Sequence, residues 1–238
     1  MHSVLTRVLF DIMFPRACAG CRGRPGGEFL YLCWDCLAQI KFIKFPYCLL
    51  CGNPASGILP RQYLCADCRK RRPFFDCARS AALYDGLMKE MMLDFKYRRA
   101  VWLGPDLGQL MCACLRAHFQ VPEIDIIVPV PLHKSRARER TYNQSFLLAG
   151  EIARRLGKRP VEGLRRLTAT KSQTHLTSAE RAANVRGKFA INRLCAVQNR
   201  RVLLIDDVMT TGATVNECAR VLKEAGAQEV LVLTAARG

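Results

Sequence analysis

Long apolar runs are missing from this sequence of 238 residues. Every uncharged apolar stretch falls well short of the roughly 20 residues that a helix needs to span a bilayer, so a membrane-spanning helix is excluded. The apolar stretch 4–14 is interrupted by Arg7 and Asp11 at helical spacing, which favours an amphipathic helix over a signal peptide. We therefore expect a soluble, cytoplasmic protein.

Acidic residues are scarce as well. The chain has 20 Asp and Glu against 37 Lys and Arg, which gives a formal net charge of +17. A positive net charge of this size favours encounter with polyanions, either nucleic acid or phosphorylated small molecules, and does not indicate the fold. The sequence also contains no G-x-x-x-x-G-K-[ST] segment, so a P-loop nucleotide site is excluded.

Cysteine, in contrast, is abundant, and eight of the 13 cysteines form four Cys-x-x-Cys pairs. In a chain that we expect to stay in a reducing compartment, such pairs indicate tetrahedral zinc more than disulfides. Sequential pairs would build two tandem ribbons, and this topology is favoured over an interleaved one in which pairs one and three share an ion. Redox dithiols are the weaker alternative. Four thiolates per ion leave no open coordination position, so we expect two structural zinc ions, held by Cys18, Cys21, Cys33 and Cys36, and by Cys48, Cys51, Cys65 and Cys68.

The chain changes character near residue 76. Residues 1–76 are predicted to form the double zinc ribbon with its N-terminal amphipathic helix. Residues 77–238 alternate strand-like and helix-like runs, which predicts an α/β domain with a parallel sheet. The predicted strands cover 78–84, 124–130, 201–205 and 229–234, and the predicted helices follow Asp85 and cover 104–119, 142–156 and 214–225. A polar stretch over 168–178 is predicted to be a loop.

The most informative segment is 203–215, Leu-Leu-Ile-Asp-Asp-Val-Met-Thr-Thr-Gly-Ala-Thr-Val. A buried strand delivers Asp206 and Asp207 at its end, and a hydroxyl-rich turn then enters a helix. Amides at a helix N-terminus, with nearby hydroxyls, bind a phosphate monoester, and Gly212 lets the backbone approach it. We expect the two carboxylates to contact ribose hydroxyls directly or through Mg²⁺, and the phosphate to lie on Thr210, Thr211, Gly212, Ala213 and Thr214.

This segment resembles the phosphoribosyl pyrophosphate motif of the type I phosphoribosyltransferases, which implies a Rossmann-like parallel sheet and a ligand bound with Mg²⁺. A second segment agrees with it. Residues 128–132 end in Pro131 and Leu132, and a basic cluster follows. In the family this loop holds pyrophosphate, so the resemblance implies that role for Pro131, Arg136, Arg138 and Arg140, and the exposed amides expected at Asn143 and Gln144 would suit the same leaving group.

Together with the four cysteine pairs, these segments make nearly the whole chain resemble the ComF/GntX family, which includes competence proteins needed for uptake of transforming DNA. Members typically have Arg-x-Arg-Gly-Phe-Asn-Gln at 138–144, where this chain has Thr141 in place of glycine. Lys96 also matches a family segment and is expected to contact phosphate.

Two hypotheses from different classes stay open after the sequence analysis. The first is a phosphoribosyltransferase of unknown acceptor, or a sensor of phosphoribosyl pyrophosphate, linked to DNA uptake. The second is a zinc-ribbon protein that binds single-stranded DNA and uses the fold as an anion platform. DNA-uptake proteins are possible partners under either hypothesis.

Overall fold

The computed structural model describes residues 16–119, 124–132, 141–168, 178–192 and 195–238. The expected N-terminal amphipathic helix and Arg136, Arg138 and Arg140 lie outside these residues, as does most of the expected loop over 168–178. Among the described helices, none is both long and apolar enough to cross a bilayer.

A four-stranded parallel sheet forms the centre of the fold, and its strands lie in the order β1, β6, β5, β2. The alternation of side chains along β5 explains why both faces are covered. Val202 and Leu204 belong to one buried core, whereas Leu203 and Ile205 belong to the other. A parallel strand buried on both faces is expected to be apolar at successive positions. The strands are β1 (Cys77–Leu83), β2 (Ile126–Pro129), β5 (Arg201–Met209) and β6 (Glu229–Arg237).

The predicted helices are present with boundaries close to those expected. The helix after Asp85 buries Met88, Met91, Met92 and Phe95, which are the four residues that the helical period places on one face. The four described helices of 12 or more residues contact the sheet through such faces. The bounds are α1 (Trp34–Gln39), α2 (Ala66–Lys70), α3 (Gly86–Tyr97), α4 (Gly104–His118), α5 (Gln144–Arg155), α6 (Ser178–Val185) and α7 (Ala213–Glu224).

Two features of the sheet differ from the sequence prediction. Strands β5 and β6 continue past the predicted ends at Ile205 and Thr234, because they pair with each other as far as Met209 and Arg237. A small antiparallel pair, β3 (Leu164–Arg166) with β4 (Phe189–Ile191), was not predicted at all. Strands of three residues carry too few positions to show a period.

The two halves of the cysteine module pack on opposite faces of this sheet. Buried residues of the first half, including Leu32 and Ile40, join the core that contains Leu203. The second half joins the other core through its cysteines and Phe75. Between them the module also follows the outer edge of β1, where Phe42 forms a bridge with Ala82 and the carbonyl oxygen of Leu50 accepts from the amide of Ala78.

Candidate functional site

Each half of the module gathers its own four thiols, in the sequential arrangement. The sets are Cys18, Cys21, Cys33, Cys36 and Cys48, Cys51, Cys65, Cys68, and the four sulfurs of each lie within 4.8 Å of one another. The Sγ atoms of Cys21 and Cys33 are 3.6 Å apart, and those of Cys51 and Cys65 are 3.7 Å apart. Zinc–sulfur bonds of about 2.3 Å in a tetrahedron require sulfurs about 3.8 Å apart. Both sets therefore fit structural zinc, and the interleaved alternative is wrong.

Backbone amides point at the first sulfur of each set. Burial would raise the pKa of the Cys18 thiol, but hydrogen bonds from the backbone amides of Cys21, Cys33 and Gly20 lower it to about 6. The corresponding Cys48 thiol has the same balance, and its pKa is lowered to about 7. A thiolate is the form that binds zinc, so the backbone favours that form at Cys18 and Cys48, whereas burial raises the pKa of Cys36 to about 12 and that of Cys51 to about 11.

Buried side chains of the α/β domain attach both ribbons, and Arg79 of β1 is one of them, since it donates to the carbonyl oxygen of Leu49 in the second ribbon at 3.0 Å. Asp106, at the start of α4, accepts hydrogen bonds from the backbone amides of Leu30 and Tyr31, both at 2.8 Å. On the other face Arg237, the last residue of β6, donates to the carbonyl oxygen of Cys51 at 2.9 Å and to Oδ1 of Asn53 at 3.0 Å. Both Asp106 and Arg237 are buried, so each bond is shielded from water.

The turn between β5 and α7 forms a pocket at the carboxyl end of the sheet. Its lining consists of Asp206 and residues 208–215. Gly212 precedes the first helical residue with φ of +76°, and a Cβ there would lie 2.7 Å from Cε of Met209. Glycine is therefore favoured by the left-handed backbone conformation, whereas the close contact involves only the flexible end of a methionine side chain. The first turn of α7 lines this pocket, and the backbone amides of a helix N-terminus are a site that binds anions.

Strand β5 carries the two adjacent carboxylates, of which Asp206 lines this pocket and Asp207 follows it in the sequence. Pro129, the last residue of β2, pairs with Ile205, so the strand bearing Asp206 and Asp207 extends past the end of its neighbour. Oδ1 of Asp206 accepts hydrogen bonds from Oγ of Ser145 and from the amide of Asp207, both at 2.9 Å. The carboxylates therefore lie at the carboxyl end of the sheet, where β5 continues beyond the end of β2. Folds of this kind bind their ligands at that end.

Burial of the Asp206 carboxyl group, together with the charge of Asp207, raises its pKa to about 7. The hydroxyl of Ser145 and the ammonium of Lys96 partly oppose that rise. Two carboxylates this close favour a bound cation, because a cation stabilises both ionised forms.

Lys96 supplies a cation to this pair. Its Nζ lies 2.9 Å from Oδ1 of Asp207, and the two side chains are only 15% and 13% exposed. The predicted contact of Lys96 with phosphate stays a prediction. Gln144 is buried and donates to the carbonyl oxygen of Lys96 at 3.3 Å, so the expectation of an exposed amide there is wrong. Asn143 instead caps α5, accepting from the amide of Ser145 at 3.1 Å.

The remaining predicted residues lie along the same edge or outside the described part of the chain. Pro131 is half-buried two residues after the end of β2. Thr141, which stands where relatives typically have glycine, has φ of +67°. Left-handed backbone is unfavourable for a β-branched residue, which gives a physical reason for the family's glycine. Arg136, Arg138 and Arg140 stay predictions.

Sequence reasoning missed two residues at this site. Ser145, in the first turn of α5, donates a hydrogen bond to Asp206. The one available signal in the sequence was that α5 follows β2, the strand that pairs with β5. Tyr84 follows β1, and burial raises the pKa of its hydroxyl while the ammonium of Lys96 opposes that rise. A Cβ placed on Gly238 would lie 3.6 Å from Cγ2 of Thr210 and 3.7 Å from Cβ of Tyr84, so Tyr84 lies near the pocket residue Thr210.

Two family models match separate parts of the chain. A family model described as a double zinc ribbon domain matches residues 9–73. A second model, described as a phosphoribosyl transferase domain, matches residues 143–238. The first range contains both cysteine sets, and the second contains the pocket and the two aspartates.

Curated relatives are similar over most of the chain. Competence protein F of Haemophilus influenzae is 31% identical over 228 residues, which are 92% of this chain and 96% of that protein. DNA utilization protein YhgH of Escherichia coli is 29% identical over 219 residues, 84% of this chain and 94% of that protein. Competence protein ComFC of Bacillus subtilis is 29% identical over 205 residues, with 82% and 79% covered.

Among solved structures, glutamine phosphoribosylpyrophosphate amidotransferase from B. subtilis, complexed with ADP and GMP, is similar over 60% of this chain. The identity is 23%, the TM-score is 0.41, and the match spans only 30% of that enzyme's chain. An overlap of this size carries no argument about ligand or activity.

Proposed function

Because the chain belongs to the ComF/GntX family, which joins a double zinc ribbon to a phosphoribosyltransferase domain, we propose that it binds phosphoribosyl pyrophosphate with Mg²⁺. The observation that carries the proposal is the pocket of residues 208–215 between β5 and α7. Its helix N-terminus and left-handed Gly212 suit a 5′-phosphate that lies on the backbone amides. Thr210, Thr211 and Thr214 would add hydroxyl donors.

The ribose would lie between the pocket and the carboxylates. Asp206 and Asp207 can accept hydrogen bonds from ribose hydroxyls, and their oxygen atoms are the ligand type that Mg²⁺ prefers. When bound, Mg²⁺ would neutralise charge on the pyrophosphate. Ser145 holds Asp206 in place through its 2.9 Å hydrogen bond, so the carboxylate needs little rearrangement on binding.

The pyrophosphate would extend toward the basic segment after β2. Pro131 starts that segment at the same edge of the sheet, and Arg136, Arg138 and Arg140 follow in the sequence. Guanidinium groups bind pyrophosphate oxygens in pairs and stabilise the charge that develops as it leaves. If the protein is an enzyme, an acceptor displaces pyrophosphate at the anomeric carbon. Two relatives are named competence proteins, which supports a link of this chain to DNA uptake.

Calorimetric titration of phosphoribosyl pyrophosphate with Mg²⁺ into the zinc-loaded protein tests this proposal. We expect a dissociation constant on the order of micromolar for the intact protein. Asp207→Asn should weaken binding by about tenfold or more, because a charge-assisted hydrogen bond is lost. Glu162→Gln removes the same charge at an exposed site and should bind like the intact protein. The proposal is wrong if the intact, zinc-loaded protein does not bind.

A second candidate function, binding of single-stranded DNA, is favoured by one surface of the second ribbon. Five basic residues there are exposed, and so are the neighbouring apolar side chains of Ile58 and Phe74. Cations combined with aromatic groups suit a single strand, which offers both phosphates and bases. The basic residues are Arg61, Arg69, Lys70, Arg71 and Arg72.

The salt dependence of binding to a labelled oligothymidine tests this second function. If the surface neutralises phosphates, the logarithm of affinity falls linearly with the logarithm of salt concentration, with a slope of about −0.7 per contact. The double substitution of Arg69→Ala and Arg71→Ala should make that slope less steep, by the amount that corresponds to the loss of one to two phosphate contacts. An unchanged slope would place the DNA elsewhere, and a flat slope in the intact protein would reject phosphate-driven binding.

A further inference from the structure

The ion pair of Lys96 with Asp207 occupies the place where the proposed ligand brings its cation. Nζ and Oδ1 are 2.9 Å apart, and both side chains are more than four-fifths buried. The ammonium therefore offsets the charge of Asp207 in the absence of ligand. A divalent cation on Asp207 would meet this ammonium at close range, where the repulsion between the two is strong.

The other partners of the carboxylates are neutral and fixed. Asp207 accepts a hydrogen bond from the amide of Val208 at 2.6 Å, and Asp206 accepts bonds from Ser145 and from the amide of Asp207. These donors can stay where they are when a cation binds, because they repel it weakly. The ammonium of Lys96 has to move when a cation binds, because it carries a full positive charge and contacts Oδ1 of Asp207.

The backbone of Lys96 is anchored, whereas its side chain is a flexible stem. At the end of α3, the carbonyl oxygen of Phe95 accepts a hydrogen bond from the hydroxyl of Tyr142 at 2.5 Å. The carbonyl oxygen of Lys96 accepts one from Gln144 at 3.3 Å. The ammonium can therefore leave Asp207 by rotation of its four-carbon chain, without movement of the helix.

We infer that Lys96 is an internal counter-ion, which occupies Asp207 in the free protein and gives it up to the divalent cation that accompanies phosphoribosyl pyrophosphate. This inference rests on the proposed function. The anionic phosphates of the ligand offer the displaced ammonium a new partner. The cation alone should bind weakly, and the cation and the ligand should bind cooperatively. Lys96 is thus a positioning residue that makes the site select the metal complex of the ligand.

Binding of Mn²⁺ alone to the zinc-loaded protein tests this inference directly, with free Mn²⁺ measured by electron paramagnetic resonance. Lys96→Met keeps the length of the side chain and removes the charge, so we expect Mn²⁺ to bind about tenfold tighter or more. Lys96→Arg keeps the charge and should bind Mn²⁺ as weakly as the intact protein. Asp207→Asn should abolish the gain when it is combined with Lys96→Met.

Lys158→Met is the matched control. Lys158 is exposed and follows the C-terminal end of α5, whereas Ser145 lies at the N-terminal end of that helix. This substitution lowers the net charge equally and should leave Mn²⁺ binding unchanged. If methionine at position 96 lowers the unfolding temperature, Lys96→Gln repeats the comparison with a polar neutral side chain.

A second measurement separates a counter-ion from a merely structural lysine. Lys96→Met should weaken binding of phosphoribosyl pyrophosphate with Mg²⁺ while it tightens binding of Mn²⁺ alone, so the two affinities move in opposite directions. Equal or weaker Mn²⁺ binding in the variant overturns the inference, and so does an equal gain in Lys158→Met. If the intact protein binds the ligand complex normally in that case, the proposed function stands without this role for Lys96.

Discussion

The two zinc ribbons share one cysteine pattern but differ in their surroundings. In the first set Cys21 is exposed and Cys33 is half-buried, whereas all four cysteines of the second set are buried. The sets also pack on opposite faces of the parallel sheet. The same ligand pattern therefore does not imply the same stability of metal binding.

The two ribbons are attached at different distances along the chain from the pocket between β5 and α7. Asp106 holds the first ribbon from α4. Arg237 holds the second ribbon from the end of β6, and the next residue, Gly238, donates to the carbonyl oxygen of Met209 at 3.1 Å. The second ribbon is thus attached to the strands that carry the pocket. The difference suggests that the first ribbon mainly stabilises the fold, whereas the second also supports the site.

Removal of metal should give the largest difference between the ribbons. A structural zinc site contributes on the order of 10 kcal/mol to the folding of its module. With a coloured chelator in excess, we expect zinc release in two phases, with the first set losing its metal faster, because the chelator can reach Cys21. Cys21→Ala should accelerate only the fast phase, and Cys65→Ala only the slow one. A single phase, or the reverse assignment, would remove the distinction.

Loss of Arg237, which attaches the second ribbon, should have the next largest effect. Arg237→Met leaves the carbonyl oxygen of Cys51 and the amide oxygen of Asn53 without this donor, which should cost about 3 kcal/mol of unfolding free energy in urea. Only the slow phase of zinc release should become faster. Arg159→Met, at an exposed position, is the control. An equal loss of stability in the control would show that net charge is responsible.

Replacement of the acid that attaches the first ribbon should cost somewhat less. Asp106→Asn keeps the shape but turns one acceptor into a donor, which then faces the amide of Leu30 or Tyr31. We expect a loss of about 2 kcal/mol of unfolding free energy. The fast phase of zinc release should become faster while the slow phase stays the same. Acceleration of both phases would mean that the ribbons are coupled across the sheet.

The smallest expected effect concerns a contact between the second ribbon's end and α7. Oδ1 of Asn216 accepts a hydrogen bond from the amide of Phe74 at 2.7 Å. Asn216→Ala should cost about 1 kcal/mol of unfolding free energy, because the bond is exposed to water. Binding of phosphoribosyl pyrophosphate should weaken slightly, since Asn216 lies in the first turn of the helix at the pocket. A change in the fast phase of zinc release would contradict the assignment of this contact to the second ribbon.

Much of this architecture could be predicted from the sequence, because local patterns determine it. The four Cys-x-x-Cys pairs identify both metal sets, and the period of Met88, Met91, Met92 and Phe95 identifies the buried face of α3. The segment 203–215 identifies the pocket in the same way, because turn chemistry and strand burial are properties of neighbouring residues.

The rest depended on contacts between distant parts of the chain. Strand β5 reaches Met209 because its partner is equally long, and no residue in β5 itself signals that end. The bond from Ser145 to Asp206 and the ion pair from Lys96 to Asp207 join residues 61 and 111 positions apart in sequence. Such pairs follow from the docking of α3 and α5 on the sheet, which periodicity alone does not specify.

A crystal structure of the zinc-loaded protein with phosphoribosyl pyrophosphate and Mg²⁺ tests the central claim most directly. The account predicts the 5′-phosphate on the backbone amides of residues 211–214, the ribose hydroxyls at Asp206 and Asp207, and Lys96 turned away from Asp207 toward the phosphates. A ligand bound elsewhere, with the pocket between β5 and α7 free of phosphate and Lys96 still paired with Asp207, would contradict it.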